Sequence, residues 1–208
     1  MALLMAGCIT PEARLEQDRA RLTAEGHQLL KRGSHAEARA SFRQALQLRP
    51  DDPEVLFQLA RCSTALGERQ EAEELLMRCL SLDPGHEGAR SEMVRRMNAD
   101  GRAADARKMV EAWLVSQPGK PGPYVEDGLL RLREGDIDAA RGRFEQAFGL
   151  DPMHARANLE LGKVYEKLDH PGRALQLYEM AAQLGDPEAK ERLASLRKKA
   201  GTARPRPD

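Results

Sequence analysis

Aromatic side chains are scarce in this sequence: one Trp, three Tyr and four Phe make up 4% of 208 residues. A core built from this chain must rely on small and branched side chains, with rings at few places. Charge of one sign is lacking as well. Lys and Arg number 33, Asp and Glu 33, and the formal net charge is zero. Gross charge therefore gives no footprint for nucleic acid. No run of 18 apolar residues occurs, which excludes an integral transmembrane helix. Cysteine is limited to three residues, with no CxxC and no ligand-spaced Cys/His cluster, so neither a metal nor a cofactor is implied. Catalytic motifs are missing too: there is no GxSxG, no HExxH and no phosphate loop. The expectation is a protein that is not an enzyme.

What is present is rich in Ala, Leu, Glu and Arg, a composition that suits helices. Apolar residues make up 41%, enough to bury a sizeable core in one or two domains. These residues recur at a fixed interval. Pro50, Pro84, Pro118 and Pro152 are each 34 residues apart, as are Gly33, Gly67, Gly101 and Gly135. Ala38, Ala72, Ala106, Ala140 and Ala174 keep the same spacing. Three residue types in one fixed phase mark an internal repeat.

With Arg19 as position 1, the units are 19–52, 53–86, 87–120, 121–154 and 155–188, without insertions. Each predicts two helices around a turn. In the first helix, positions 4, 7, 8 and 11 share one face at 100° per residue, as Leu56, Leu59 and Ala60 illustrate. In the second, positions 20, 24 and 27 do so: Ala38, Phe42 and Ala45, or Ala140, Phe144 and Ala147. Helices 8–10 Å apart need a small residue where backbones approach, and a ring opposite fills the remaining gap. Glycine at position 15 supplies the positive φ that ends the first helix. Proline at position 32 cannot continue the second.

This pattern resembles the tetratricopeptide repeat. Gly26, Ala38, Phe42, Ala45 and Pro50 match its consensus in the first unit, and Gly162, Tyr165, Ala174, Tyr178 and Ala181 in the fifth. The resemblance covers 19–188. It implies an all-α, right-handed superhelical solenoid of five repeats that binds proteins or peptides. Several residues depart from the pattern. Glu25 and Asp127 occupy the usually apolar position 7, and Arg90 takes position 4. Trp113 stands where alanine is normal, so the seam of repeats 3 and 4 must widen or repack. Repeat 3 is the weakest match, through drift or a functional kink. Asp169 replaces the turn glycine of repeat 5, a conformation Asp tolerates.

At the ends, Thr10-Pro11-Glu12 predicts a helix start within a 9–18 extension that runs into repeat 1. Residues 189–200, with Leu193 and Leu196, predict a capping helix over the last apolar face. The tail 201–208 lacks periodicity and is expected to be disordered. The segment 1–8 is a short apolar run ending Ala6-Gly7-Cys8. It is similar to the end of a bacterial lipoprotein signal, although no basic segment precedes it. That likeness implies acylation of Cys8 and a membrane-anchored protein of the bacterial envelope. With Cys8 unmodified, the alternatives are a cytoplasmic adaptor or co-chaperone, or a subunit of an enzyme complex.

Cys79 reads as a buried alanine substitute and Cys62 as a flank residue; in an exported protein they are candidates for a disulfide. His86 and His154 read as solvated loop residues, and Glu71 and Glu74 as solubilising surface charge.

In the family, positions 2, 5, 9, 12 and 13 of each first helix line the concave groove. Seven of these positions are basic: Lys31, Arg61, Arg95, Arg133, Arg156, Lys163 and Lys167. Two are acidic, Glu54 and Glu166. The groove is therefore expected to be basic and to take an acidic segment or a free C-terminal carboxylate. Arg61 and Arg95 are expected to stand one above the other, His27 to share position 9 with them, and Phe57 and Leu159 to add apolar contact.

Overall fold

The computed structural model describes residues 10–202, with side chains through 198. Among the described residues the chain forms eleven α-helices and no strand. They are α1 (Pro11–Lys31), α2 (His35–Leu48), α3 (Pro53–Ala65), α4 (Arg69–Leu82), α5 (Glu87–Ala99), α6 (Ala103–Ser116), α7 (Pro121–Arg133), α8 (Ile137–Leu150), α9 (Ala155–Lys167), α10 (Pro171–Gln183) and α11 (Pro187–Thr202). The even-numbered helices from α2 to α10 begin 34 residues apart, and so do α3, α5, α7 and α9.

Local chemistry sets these boundaries. Thr10 Oγ1 accepts from Ala13 N at 3.2 Å and Pro11 opens α1, which continues unbroken to Lys31. Asp52 caps α3 through Val55 N at 3.2 Å, and Asp136 caps α8 through Ala139 N at 2.9 Å. Four turns between paired helices use glycine with φ of 75–83°. The fifth uses Asp169 at φ 58°, the one non-glycine residue with positive φ among those described. A short polar side chain tolerates this left-handed conformation better than a branched one.

The chain divides into two compact units, the first ending at Met93 and the second beginning at Val94, within α5. In the first, α1 packs on α2, α2 on α3 and α3 on α4. Leu22, Ala38, Phe42, Ala45, Val55, Leu59 and Cys62 form a buried cluster there. In the second, α7 packs on α6, α8 and α9, and α10 packs on α9 and α11. Its core gathers Phe144, Leu161, Val164 and Tyr178 with the small residues Ala140, Ala147, Ala157, Ala174 and Ala181.

One rule recurs inside the helix pairs. Where position 24 carries a ring, position 8 is glycine, and the ring lies directly on it. A methyl on Gly26 would stand 2.7 Å from Phe42, on Gly128 2.5 Å from Phe144, and on Gly162 2.6 Å from Tyr178. Where position 24 is Leu76, position 8 is Ala60; where it is Val110, position 8 is Val94. A smaller residue at position 8 thus goes with a larger one at position 24, as close packing requires.

Several expectations change. Cys62 is fully buried in the first core rather than on a flank. Cys62 and Cys79 are both free, and Cys79 directs its thiol at Pro53 O, 3.2 Å away, so the candidate disulfide is absent. His86 and His154 are not solvated loop residues. Each accepts a backbone N–H through Nδ1 at 3.1 Å, from Ala89 and Ala157, and so caps the start of α5 and α9. Glu71 is tied to Arg43 and Arg39 and accepts from Ser63 at 2.8 Å, so it joins α2, α3 and α4 rather than merely solubilising. Asp127 at the apolar position is 4% exposed and neutralised by Arg143 at 2.6 Å and Arg131 at 3.2 Å. Trp113 is fully buried, its indole N–H donating to Gln117 at 2.8 Å, and α7 opens with buried Pro121, Gly122 and Pro123. At the C-terminal end the helix extends through Gly201 and Thr202, into the segment expected to be a tail. Residues 203–208 and the lipidation candidate Cys8 lie outside the described residues.

Candidate peptide-binding face

The face of each first helix that carries positions 2, 5, 9, 12 and 13 also carries position 6. Position 6 is four residues after position 2 and three before position 9, so all three share a helical stripe. It holds Gln58, Glu92, Glu126 and Glu160, each at most 8% exposed. These buried polar side chains form the floor on which the basic residues stand, and they change the charge of the face.

In the first unit, His27 on α1 lies edge-on to Phe42, ring centroids 5.4 Å apart, and Lys31 is exposed in the last turn. On α3, Phe57 is not an open apolar contact. Its ring is wedged against Gly88, where a methyl would meet it at 2.7 Å, and against His86, with centroids 4.8 Å apart. Glu54 lies 3.2 Å from His86 Nε2 and accepts from Gln58 Nε2 at 2.5 Å. The hydrogen bond from His86 outweighs the cost of burial and, with Gln58, holds the Glu54 pKa down at about 2. The same bond raises His86 above the ordinary imidazole value. Arg61 Nη1 donates to Gln58 Oε1 at 2.9 Å, and its guanidinium lies over the Phe57 ring, 5.9 Å from the centroid.

In the second unit, Arg95 is exposed on the last half of α5; Arg61 and Arg95 thus belong to different units. Arg133 is exposed at the end of α7 and lines a cleft of about 430 Å³ beside Arg107, which pairs with Glu134. Arg156 on α9 pairs with buried Glu126 of α7 at 2.6 Å. Lys163 contacts Glu160 at 3.0 Å and Glu188 of α11 at 2.9 Å. Arg192 of α11 reaches Glu188 at 3.0 Å and Glu166 at 3.1 Å, and Tyr178 donates its hydroxyl to Glu166 at 2.8 Å. Lys163, Lys167 and Arg192 line a cleft of about 480 Å³ with Glu160, Glu166 and Leu132. Leu159, expected to add apolar contact, is 5% exposed within the core.

The basic residues therefore fall into two classes. Arg156 and Lys163 are matched by acids, two of them at position 6. Lys31, Arg61, Arg133 and Lys167 have no carboxylate partner among the described residues. The acids at position 6 had a signal in the sequence: Glu92, Glu126 and Glu160 recur 34 residues apart. The burial of Glu126 against Arg156 of a neighbouring helix had no such signal. Among the described residues no group of three His, Cys, Asp or Glu is placed to hold a metal, and no helix is long and apolar enough to cross a membrane.

Tetratricopeptide repeat family models match residues 29–79 and 126–189. The chain is 25% identical over 152 residues, 69% of its length, to a cellulose synthase operon protein C of Pseudomonas fluorescens. It spans 12% of that relative's length. A crystal structure of TTC0263, a thermophilic tetratricopeptide repeat protein of Thermus thermophilus, superposes with a TM-score of 0.66 at 23% identity, covering 86% of this chain and 98% of that one. The Pseudomonas aeruginosa pilF structure gives 0.60 at 21% identity, with 91% and 88% covered. Periodicity, glycine–ring pairing, family matches and fold likeness agree: the chain belongs to the tetratricopeptide repeat proteins.

Proposed function

We propose that this chain is a non-catalytic scaffold that holds partner protein segments against the position-9 and position-13 residues of the first helices within each of its two units. The observation that carries this reading is the contrast among the cations of those helices. Cations at positions 2 and 9 in α9 are neutralised within the fold, whereas Lys31, Arg61, Arg133 and Lys167 project without a carboxylate. Uncompensated cations on a face with clefts offer charge to a ligand rather than to the fold. An acidic segment or a C-terminal carboxylate fits them. The relative named as a cellulose synthase operon protein supports a role as one part of a larger assembly.

A photo-crosslinking side chain at Lys31 or Lys167 tests the reading. Adducts with partner protein are expected from both positions and not from Met77, an exposed residue of α4. Adducts of equal yield from Met77 would overturn it. The site of action we propose is a bacterial envelope membrane, with Cys8 as the acylated residue, supported by the Ala6-Gly7-Cys8 run. Two or more acyl chains hold a protein firmly where one does not. Intact mass of the native membrane-fraction protein decides it: lipid mass on Cys8 is expected, and an unmodified Cys8 would move the scaffold to the cytoplasm.

A further inference from the structure

We propose that Gln58 and Arg61 on α3 form the anchoring point for a carboxylate of an acidic segment, and that their register equivalents on α9, Glu160 and Lys163, do not. This rests on the reading above and gives it a location and a ligand chemistry.

The two pairs have the same geometry. Arg61 donates to Gln58 at 2.9 Å and Lys163 to Glu160 at 3.0 Å, each across three residues. The inner partner is buried in both, 6% exposed for Gln58 and 8% for Glu160. The difference is charge. Glu160 cancels its lysine, and Glu188 adds a second carboxylate at 2.9 Å. Gln58 orients its arginine and leaves the charge intact.

The orientation is set by the residues behind it. An ionised carboxylate only accepts, so Glu54 requires the amide nitrogen of Gln58, which donates to it at 2.5 Å. The amide oxygen is thereby turned towards Arg61. Glu54 is itself held by His86 at 3.2 Å. On the other side the Phe57 ring supports the guanidinium. Arg61 is exposed, and its fork keeps N–H groups beyond the one given to Gln58. A cation held in place by an amide and a ring loses little freedom when it binds, and its planar fork matches a carboxylate. Lys31, exposed on α1 without an acid partner, adds a second positive charge in the same unit.

The test uses the full chain and an amidated hexaglutamate peptide, with affinity from calorimetry and the Arg61 side-chain N–H resonance as a local reporter. Saturable binding with a shift of that resonance is expected. Arg61→Gln is expected to weaken binding roughly fivefold, the upper end for an exposed charge pair. The swap Glu54→Gln with Gln58→Glu keeps net charge but sets a carboxylate against Arg61, reproducing the α9 arrangement. It is expected to weaken binding as much as Arg61→Gln, while Lys163→Gln leaves binding intact. Circular dichroism of each variant separates lost binding from lost fold. Hexaglutamate binding unchanged in both Arg61→Gln and the swap would overturn the anchoring pair. Tighter binding of inorganic phosphate at the Arg61 resonance would overturn it in favour of a phosphorylated ligand. If hexaglutamate fails to bind while crosslinks from Lys31 and Lys167 persist, this inference falls and the scaffold reading stands.

Discussion

A single glycine in these helix pairs is a packing decision. In a helix interior glycine costs about 1 kcal/mol relative to alanine, yet Gly26, Gly128 and Gly162 occupy such positions. The ring stacked on each explains why. Gly128→Ala gains helix propensity but drives a methyl to 2.5 Å from Phe144, which is fully buried. Overpacking of a dense core costs about 1–3 kcal/mol, so a net loss of about 1–2 kcal/mol is expected in denaturant titration. Adding Phe144→Leu recreates the Ala60 and Leu76 pairing of the second repeat and is expected to recover much of that loss. Additive losses in the double mutant would show that the two positions do not exchange volume. The exchange was partly legible in the sequence, since glycine and ring co-occur at one spacing. That the ring rests on the glycine itself, rather than near it, needed coordinates.

At the scale of the element, α5 begins on a histidine that serves two helices. His86 Nδ1 accepts from Ala89 N, while Nε2 faces Glu54 of α3. The linkage runs in opposite directions for the two partners. Glu54 has a depressed pKa, so its contribution is present above its ordinary value near 4.5 and is lost as pH falls towards about 2. His86 has a raised pKa, so its contribution is full below its ordinary value of 6.5 and is lost as pH rises through the folded value. Protonating Nδ1 would also remove the acceptor that caps α5, which limits the gain. The Glu54→Gln variant is therefore expected to lose most melting temperature relative to the parent between about pH 4.5 and 6.5. The difference is expected to shrink on either side, as a melting series across pH would show. None of this was visible in the sequence. His86 and His154 share position 34, and a histidine at a repeat boundary resembles any other solvated loop residue until its ring nitrogen is seen against a helix N-terminus.

For the whole molecule, neutral net charge hides an uneven distribution of paired and unpaired groups. Micromolar affinity corresponds to about −8 kcal/mol, and one exposed ion pair supplies at most about 1 kcal/mol. Several cations and some apolar contact must act together. Hexaglutamate affinity is expected to fall several-fold when salt rises from about 0.05 M to about 0.5 M, because exposed pairs are screened over distances beyond a few ångströms. A flat salt response in calorimetry would show that apolar contacts dominate. The sequence by itself determined the all-helical repeat and the places of glycine, alanine and proline within it. Each of these follows from local conformation and periodicity, which neighbours along the chain carry. Only the tertiary structure decided which cations remain available. Arg156 is neutralised by Glu126 of α7, and Lys163 by Glu160 of its own helix together with Glu188 of α11; pairing between helices depends on distance through space rather than along the chain.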